Sequence, residues 1–280
     1  MQKFSYHTHT IFSDGNNTIE EMLLKAKELG WVEIGISDHL IVHKNISKNP
    51  DYNQTNQTLN GIRVYSSFDE AKEDVLKYIK KIKEASKKIG IKAYTGFEVD
   101  YFTYNGWGDD FKRFLKEVPC DYTVCGNHFF FDEECNTPFD IYNYTMRSDV
   151  SLSEIEKYLL NHYSAIKKAI ASGLYTFLAH LDYAFVHIKE LEKVNKHIVE
   201  DILSIIPELS KFDLPLELST KGIRKTGDFF PAKWILDEVI NAGVKIVISD
   251  DAHATEQLGG YFDKAEALLA TYPNVKRFNL

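Results

Sequence analysis

Short apolar runs rich in β-branched and aromatic residues alternate along this chain with longer stretches whose apolar residues recur at helical spacing. That alternation constrains the fold more than any other feature. Strand patterns fall near residues 4–10, 32–38, 91–99, 121–128, 175–181, 214–219 and 244–250, with a last one at 274–279. Helical patterns fill the intervals at 18–30, 68–89, 109–117, 152–172, 188–206, 232–242 and 261–271. The first helix opens on Thr18 with Glu21 three residues on, a capping box, and closes at Gly30. Parallel strands need crossovers of about a dozen residues, which these helices supply, so the pattern closes most simply into an α/β barrel. The 280 residues, 44% hydrophobic, suffice for one such barrel, and no linker-like composition shift divides residues 1–280. The segment 43–67 is rich in Asn, Gln and Ser without a clear period, and reads as a functional loop or lid.

Charge narrows the partners. The formal net charge of -8, from 33 basic and 41 acidic residues without a long basic block, argues against nucleic acid held through its backbone. No apolar stretch approaches the ~20 residues of a membrane span, and Met1-Gln2-Lys3 leads straight into a strand, so the expectation is a soluble, cytoplasmic protein. Cys120, Cys125 and Cys135 lack zinc-knuckle spacing and read as reduced structural thiols.

Metal-ligand residue types gather at one end of the expected strands. His7 and His9 stand at i and i+2 on the first strand, so both side chains leave the same face. Asp14 just past the same strand, and His39, Glu98, His128, His180 and the Asp251/His253 pair at or just past the others, lie at the C-terminal strand ends, the end that forms the active-site mouth of α/β barrels. By contrast, His162, His187 and His197 fall on or beside amphipathic helices and read as solvated, with His43 in the loop past the second strand. Nine candidate ligands exceed what one tetrahedral ion takes, so two to three divalent ions fit, with Glu98 able to bridge. Mixed histidine and carboxylate ligation suits zinc, manganese or iron. Adjacent ions of this kind generate hydroxide near neutral pH and clamp phosphoryl oxygens, which points to hydrolysis.

His7-Thr8-His9, Ser37-Asp38-His39, Glu98, Gly126-Asn127-His128, His180 and Asp251-Ala252-His253 together resemble the motifs of the PHP (polymerase and histidinol phosphatase) family, in order and spacing, over essentially the whole chain. The stretches from Gly96 to Tyr101 and from Glu217 to Thr226 resemble its histidinol-phosphatase branch. The resemblance implies a distorted (β/α)7 TIM-like barrel, a trinuclear metal centre, and hydrolysis of L-histidinol phosphate to L-histidinol in histidine biosynthesis. It assigns His7, His9, Asp251 and bridging Glu98 to a first metal, Glu98, His128 and His180 to a second, and Asp14, His39 and His253 to a third. Many relatives carry histidine at or next to Asp14, so the third ion would be held less tightly.

Around these ligands, Arg224 is the expected phosphate clamp, because a guanidinium fork matches phosphate oxygens. Ser219 and Lys221 are expected at the mouth, where relatives often carry Asn and Ser, which leaves the exact substrate open. His43 is a candidate general acid, Asp250 a structural carboxylate, and Asp100, Tyr101 and Tyr104 candidate partners for a cationic substrate group. Three alternatives stand beside this reading: another small phosphate ester or nucleotide as substrate, an amidohydrolase, and a nucleic-acid-processing module. The amidohydrolase lacks its usual bridging lysine here, and the acidic charge disfavours the last.

Overall fold

The computed structural model describes residues 2–132, 137–141, 151–186 and 196–280. In chain order the elements are α1 (Ile19–Glu28), β1 (Glu33–Ile36), β2 (Ile41–Val42), β3 (Tyr52–Asn53), β4 (Thr58–Leu59), β5 (Ile62–Tyr65), α2 (Phe68–Ile89), β6 (Lys92–Glu98), α3 (Trp107–Glu117), β7 (Tyr122–Cys125), β8 (Phe129–Asp132) and β9 (Thr137–Asp140). There follow α4 (Leu152–Ser172), β10 (Phe177–Leu178), α5 (Lys196–Leu203), α6 (Ile205–Lys211), β11 (Leu216–Ser219), α7 (Lys221–Thr226), α8 (Lys233–Asn241), β12 (Lys245–Ser249), α9 (Phe262–Leu269) and β13 (Lys276–Arg277).

Seven strands form one parallel sheet in the order β1-β6-β7-β10-β11-β12-β13, with the crossover helices outside it. The expected first strand at 4–10 is instead an extended segment whose partners are split between two elements. Gly35 N donates to Ser5 O at 2.7 Å and Ser37 N to Thr8 O at 2.9 Å on the β1 side, while His9 N reaches Ala252 O at 2.8 Å past β12. The segment therefore spans the gap between the two sides of the sheet, and the architecture is a distorted TIM-like α/β barrel.

Alternation along the strands fills two cores. Tyr6, Tyr122, Val124, Phe177, Ala179 and Val247 pack together in one cluster, separate from the larger core that the helices share. Tyr122 Oη donates to Tyr6 O at 2.7 Å, and its ring occupies space that side chains at Gly35 and Gly96 would fill. Outside, α2 buries Phe68, Ala71, Val75, Tyr78, Ile79, Ile82, Ala85 and Ile89, an apolar stripe at helical spacing. Ser67 caps its start by accepting from Glu70 N, and Gly90, at φ 73°, ends it in the left-handed conformation.

Three regions differ from expectation. Residues 43–67 contribute β3, β4 and β5 to a small sheet ordered β2-β5-β4-β3, whose strands of two to four residues are too short to show a period. Its tight turn is Asn60-Gly61, with φ 52° and 85°, the pair of positive angles that a two-residue hairpin turn demands. A β8–β9 hairpin, pairing Phe129 with Asp140, follows β7, and α7 follows β11. Finally, His162 is buried rather than solvated, at 3% exposure, and its burial beside His128 and His180 pushes it down to about 3. His187, Cys135 and part of the helix expected over 188–206 lie outside the described residues. Cys120 and Cys125 are free thiols. Among the described residues no helix is long and apolar enough to cross a membrane.

Gly96→Ala tests the inner packing. Its Cβ would stand 2.3 Å from Cζ of Tyr122, so the variant should lose roughly 1–3 kcal/mol of stability, as overpacked cores do. A urea titration reads this as a lower midpoint.

Candidate metal centre

The strand ends deliver the candidate ligands to one place. Glu98 closes β6, His39 pairs with it past β1, and His128, His180 and Asp251 lie two or three residues past β7, β10 and β12. The imidazoles form a closed ring: His7 to His9 at 5.2 Å between centroids, His9 to His39 at 4.5 Å, His39 to His128 and His128 to His180 at 5.0 Å, and His180 back to His7 at 5.7 Å. His253 stacks on His9 at 4.2 Å.

Glu98 occupies the middle. Its Oε2 faces Nδ1 of His39 at 3.1 Å, Nε2 of His7 at 3.2 Å and Nε2 of His9 at 3.4 Å. Its Oε1 faces Nε2 of His180 at 2.9 Å and Nε2 of His128 at 3.6 Å. Only a glycine fits beside it, since a Cβ at Gly126 would lie 1.7 Å from Oε1. Asp251 Oδ1 meets His9 Nε2 at 3.2 Å, and Asp14 Oδ2 meets His253 Nε2 at 3.2 Å and His39 Nε2 at 3.6 Å. Four groups of donor atoms result, each within 4.8 Å: His9/Asp14/His39/His253, His7/His9/Glu98, His7/His180/Asp251 and His39/Glu98/His128. All nine expected ligands are thus together, although His180 groups with Asp251 and His39 with Glu98 as well as with Asp14.

The electrostatics are those of donors crowded out of water. Burial, helped by His253 and His39, pushes His9 down to about 3. Burial opposes charge on His39 too, but Asp14 and Glu98 overcome it and raise that ring to about 9. Glu98 is 1% exposed, and despite burial His7, His128 and His39 hold its carboxyl well below the usual range. Buried Nε2 of His7, Nε2 of His9, Nδ1 of His39, Oε2 of Glu98 and Oδ1 of Asp251 nevertheless have no hydrogen-bond partner. Buried polar atoms are normally satisfied. Orphaned imidazole nitrogens and carboxylate oxygens converging on one point fit divalent cations of the zinc, manganese or iron type.

The residues expected around the ligands are placed unevenly. Lys221 lines the cleft over the centre, its Nζ 2.8 Å from Asp251 Oδ2 and 5.5 Å from the Tyr183 ring centroid. Arg224 does not reach that lining, because its Nη2 donates to the carbonyl oxygens of Asp250 at 2.6 Å and Asp251 at 3.2 Å. Ser219 is fully buried, accepting from Lys221 N at 3.4 Å. Asp100 is also buried; its Oδ1 accepts from the backbone N–H groups of His128 and Phe129, so it braces the His128 loop rather than facing substrate. Tyr101 packs on Trp107, and Tyr104 lies edge-on to His43. His43 is itself buried between Phe102 and Tyr104, accepts from Asn45 N, and is pushed by burial and Lys44 down to about 3. His43 does not line the cleft over the centre. Asp250 accepts from Ser5 Oγ and Gly259 N, a structural role as expected.

The cleft, about 190 Å³, is walled in part by residues that no site motif singles out: Leu59, Asn60, Ile62, Phe129, Asp140 and Tyr183. They come from the small sheet, the β8–β9 hairpin and the turn past β10. Glu217, buried behind His7 and His180, carried a signal only as part of a longer motif.

Fold and site together define an α/β barrel that carries a buried cluster of candidate metal ligands at the ends of its strands. The PHP domain model matches residues 5–221, and the chain belongs to the PHP family. A protein of Thermotoga maritima named "Probable histidinol-phosphatase" is 36% identical over 83 residues, 29% of this chain and 34% of that protein. The match thus spans about a third of that relative's length. The fold is shared with a protein of Listeria monocytogenes assigned as a histidinol phosphatase, at TM-score 0.70 and 22% identity, covering 93% of this chain and 99% of that one. It is shared too with histidinol phosphate phosphatase of Lactococcus lactis, solved with zinc, L-histidinol and phosphate, at TM-score 0.66 and 18% identity, covering 99% and 95%.

Gly126→Ala would force the Glu98 carboxylate aside. The variant should keep its far-ultraviolet circular dichroism but retain fewer metal ions per chain than the parent after gel filtration, read by elemental analysis.

Proposed function

We propose that residues 1–280 form one PHP unit acting as a metal-dependent phosphomonoesterase on L-histidinol phosphate, with two to three divalent ions per chain. The observation that carries the reading is Glu98, one buried carboxylate whose two oxygens face two different sets of histidines. Support for the substrate comes from the Lactococcus protein, which holds zinc, L-histidinol and phosphate, and from the name of the Thermotoga relative. The cleft, about 190 Å³, falls below the roughly 300–1,000 Å³ of sites for drug-sized ligands, which favours a small ester over a nucleotide.

Bound divalent ions would supply a hydroxide near neutral pH and neutralise charge on the phosphoryl group. His7, His9, Asp14, His39, Glu98, His128, His180, Asp251 and His253 would hold them. Lys221, rather than Arg224, offers its ammonium to the phosphate from the cleft wall, and Asp251 keeps that ammonium charged against the cost of burial. Arg224 fixes the backbone of Asp251 from behind. Cys125 is no nucleophile, since burial pushes its thiol well above the usual range. In this reading water would be the attacking group, and Glu98 and Asp251 would act by holding the ions that activate it.

Two measurements test this. Elemental analysis of metal-replete protein should give two to three ions, with one lost first on dialysis from the Asp14 group; no more than one ion overturns the multinuclear centre. In an assay panel, histidinol phosphate should be turned over with a higher kcat/KM than p-nitrophenyl phosphate, a nucleoside monophosphate or a single-stranded oligonucleotide. Lys221→Ala should lower kcat/KM on the order of 10²-fold, the usual cost of removing one such donor. No turnover of histidinol phosphate moves the assignment to another small phosphate ester.

A further inference from the structure

Of the sheet strands from β1 to β12, β1, β6, β7, β10 and β12 each lead into a candidate ligand, whereas β11 leads into none. Yet β11 lies between β10 and β12, which lead into His180 and Asp251, and it carries Glu217, a carboxylate at 0% exposure. Glu217 Oε1 lies 2.7 Å from Nδ1 of His7 and also accepts from Ser249 Oγ. Glu217 Oε2 accepts from the backbone N–H of His180 at 3.0 Å. His7, His180 and Asp251 are one of the four donor groups, so a single carboxylate touches two of its three members from behind.

We propose that Glu217 is a positioning residue for the metal centre, which fixes His7 as the Nδ1–H tautomer and sets the backbone of His180. A carboxylate at Nδ1 accepts the hydrogen bond of an N–H there and so keeps the ring proton on Nδ1, which leaves Nε2 as the lone-pair donor, and His7 Nε2 is the orphaned atom facing Glu98. The His180 contact acts on backbone. That residue has φ 21°, inside the left-handed region, and its N–H is held there by the same carboxylate. Ligands from the N-terminal segment and from β10 are thereby registered to each other through a residue that binds no ion itself. Catalysis is not its role; without it the ligands lose their common anchor.

This proposal rests on the metal-binding reading, and the test separates the two. Zinc affinity is measured by competition with a chromophoric chelator for the wild type and Glu217→Gln, together with melting temperature in excess EDTA. The expected result is a zinc affinity 10–100-fold weaker, on the scale of such outer contacts, with the EDTA-treated melting temperature unchanged. Unchanged affinity overturns the proposal, as does a loss matched by a fall in the metal-free melting temperature, which marks a purely structural role. Should the variant not fold, nitrogen-15 spectra of the histidine-labelled wild type with zinc decide, the His7 signal being identified by its loss in His7→Asn. Protonated Nδ1 with zinc on Nε2 supports the proposal, and zinc on Nδ1 overturns it. A wild type that binds no zinc fails the metal reading itself, before Glu217 is tested.

Discussion

A carboxylate removed from water between imidazoles is the constraint on which the rest of this structure depends. Glu98 is buried among five rings, and an isolated charge there would cost far more than a folded domain can spare. Its neighbours must therefore carry positive charge. They cannot all do so as imidazolium, because His9 is kept neutral by burial and by the rings of His253 and His39. Crowding thus leaves His9 as a lone-pair donor beside an anion, the condition in which a divalent cation replaces a proton. The space for that anion is set one strand away, at Gly126, and the level of Glu98 is set by the register of β6 on β7, where Phe97 lies beside Thr123 and Glu98 beside Val124.

The ligand geometry is held by groups that face away from the cleft. His180 and Asp251 have positive φ, at 21° and 45°, conformations that cost about 1–3 kcal/mol each for non-glycine residues unless their surroundings fix them. Glu217 holds the N–H of His180, and Arg224 holds the carbonyls of Asp250 and Asp251. Asp38 ties the turn after His9, accepting from Thr10 N and from the hydroxyls of Thr10 and Ser13. Asp100 does the same for the loop that carries His128.

Much of this was legible in the sequence, and the failures have physical causes. The helices over 68–89 and 152–172 match their expected bounds because each is long, periodic and capped by Ser67 or Ser151. The convergence of the candidate ligands was legible because His, Asp and Glu at the ends of apolar strands cannot be explained by packing. The small sheet was not, since two-residue strands carry no period, although Asn60-Gly61 was a hairpin signal in plain view. His162 was misjudged on a helix whose stripe of Leu159, Tyr163 and Ile166 includes it at i+3 and i−4 spacing. Arg224 and Lys221 stand three residues apart on one short helix, and both turn to Asp251, one to its carbonyl and the other to its carboxylate. Residue chemistry favoured the guanidinium for phosphate; only the helix's orientation gives the cleft to the lysine.

Candidate ligands and cleft walls therefore come from different layers of the chain. The barrel strands fix the donors, and the two insertions, the small sheet after β1 and the hairpin after β7, wall the cleft with Leu59, Asn60, Ile62, Phe129 and Asp140. These insertions are joined to each other: Asn60 Nδ2 donates to Asp140 Oδ2 at 3.2 Å, and Asn49 Nδ2 to Pro138 O at 2.7 Å. Insertions on the mouth of a barrel tolerate change that the strands do not. A change in the shape of the cleft would thus begin at Leu59, Ile62 and Phe129, which line it. A change at Gly126 or Glu217 would reach the donors first, and with them any chemistry that depends on a bound ion.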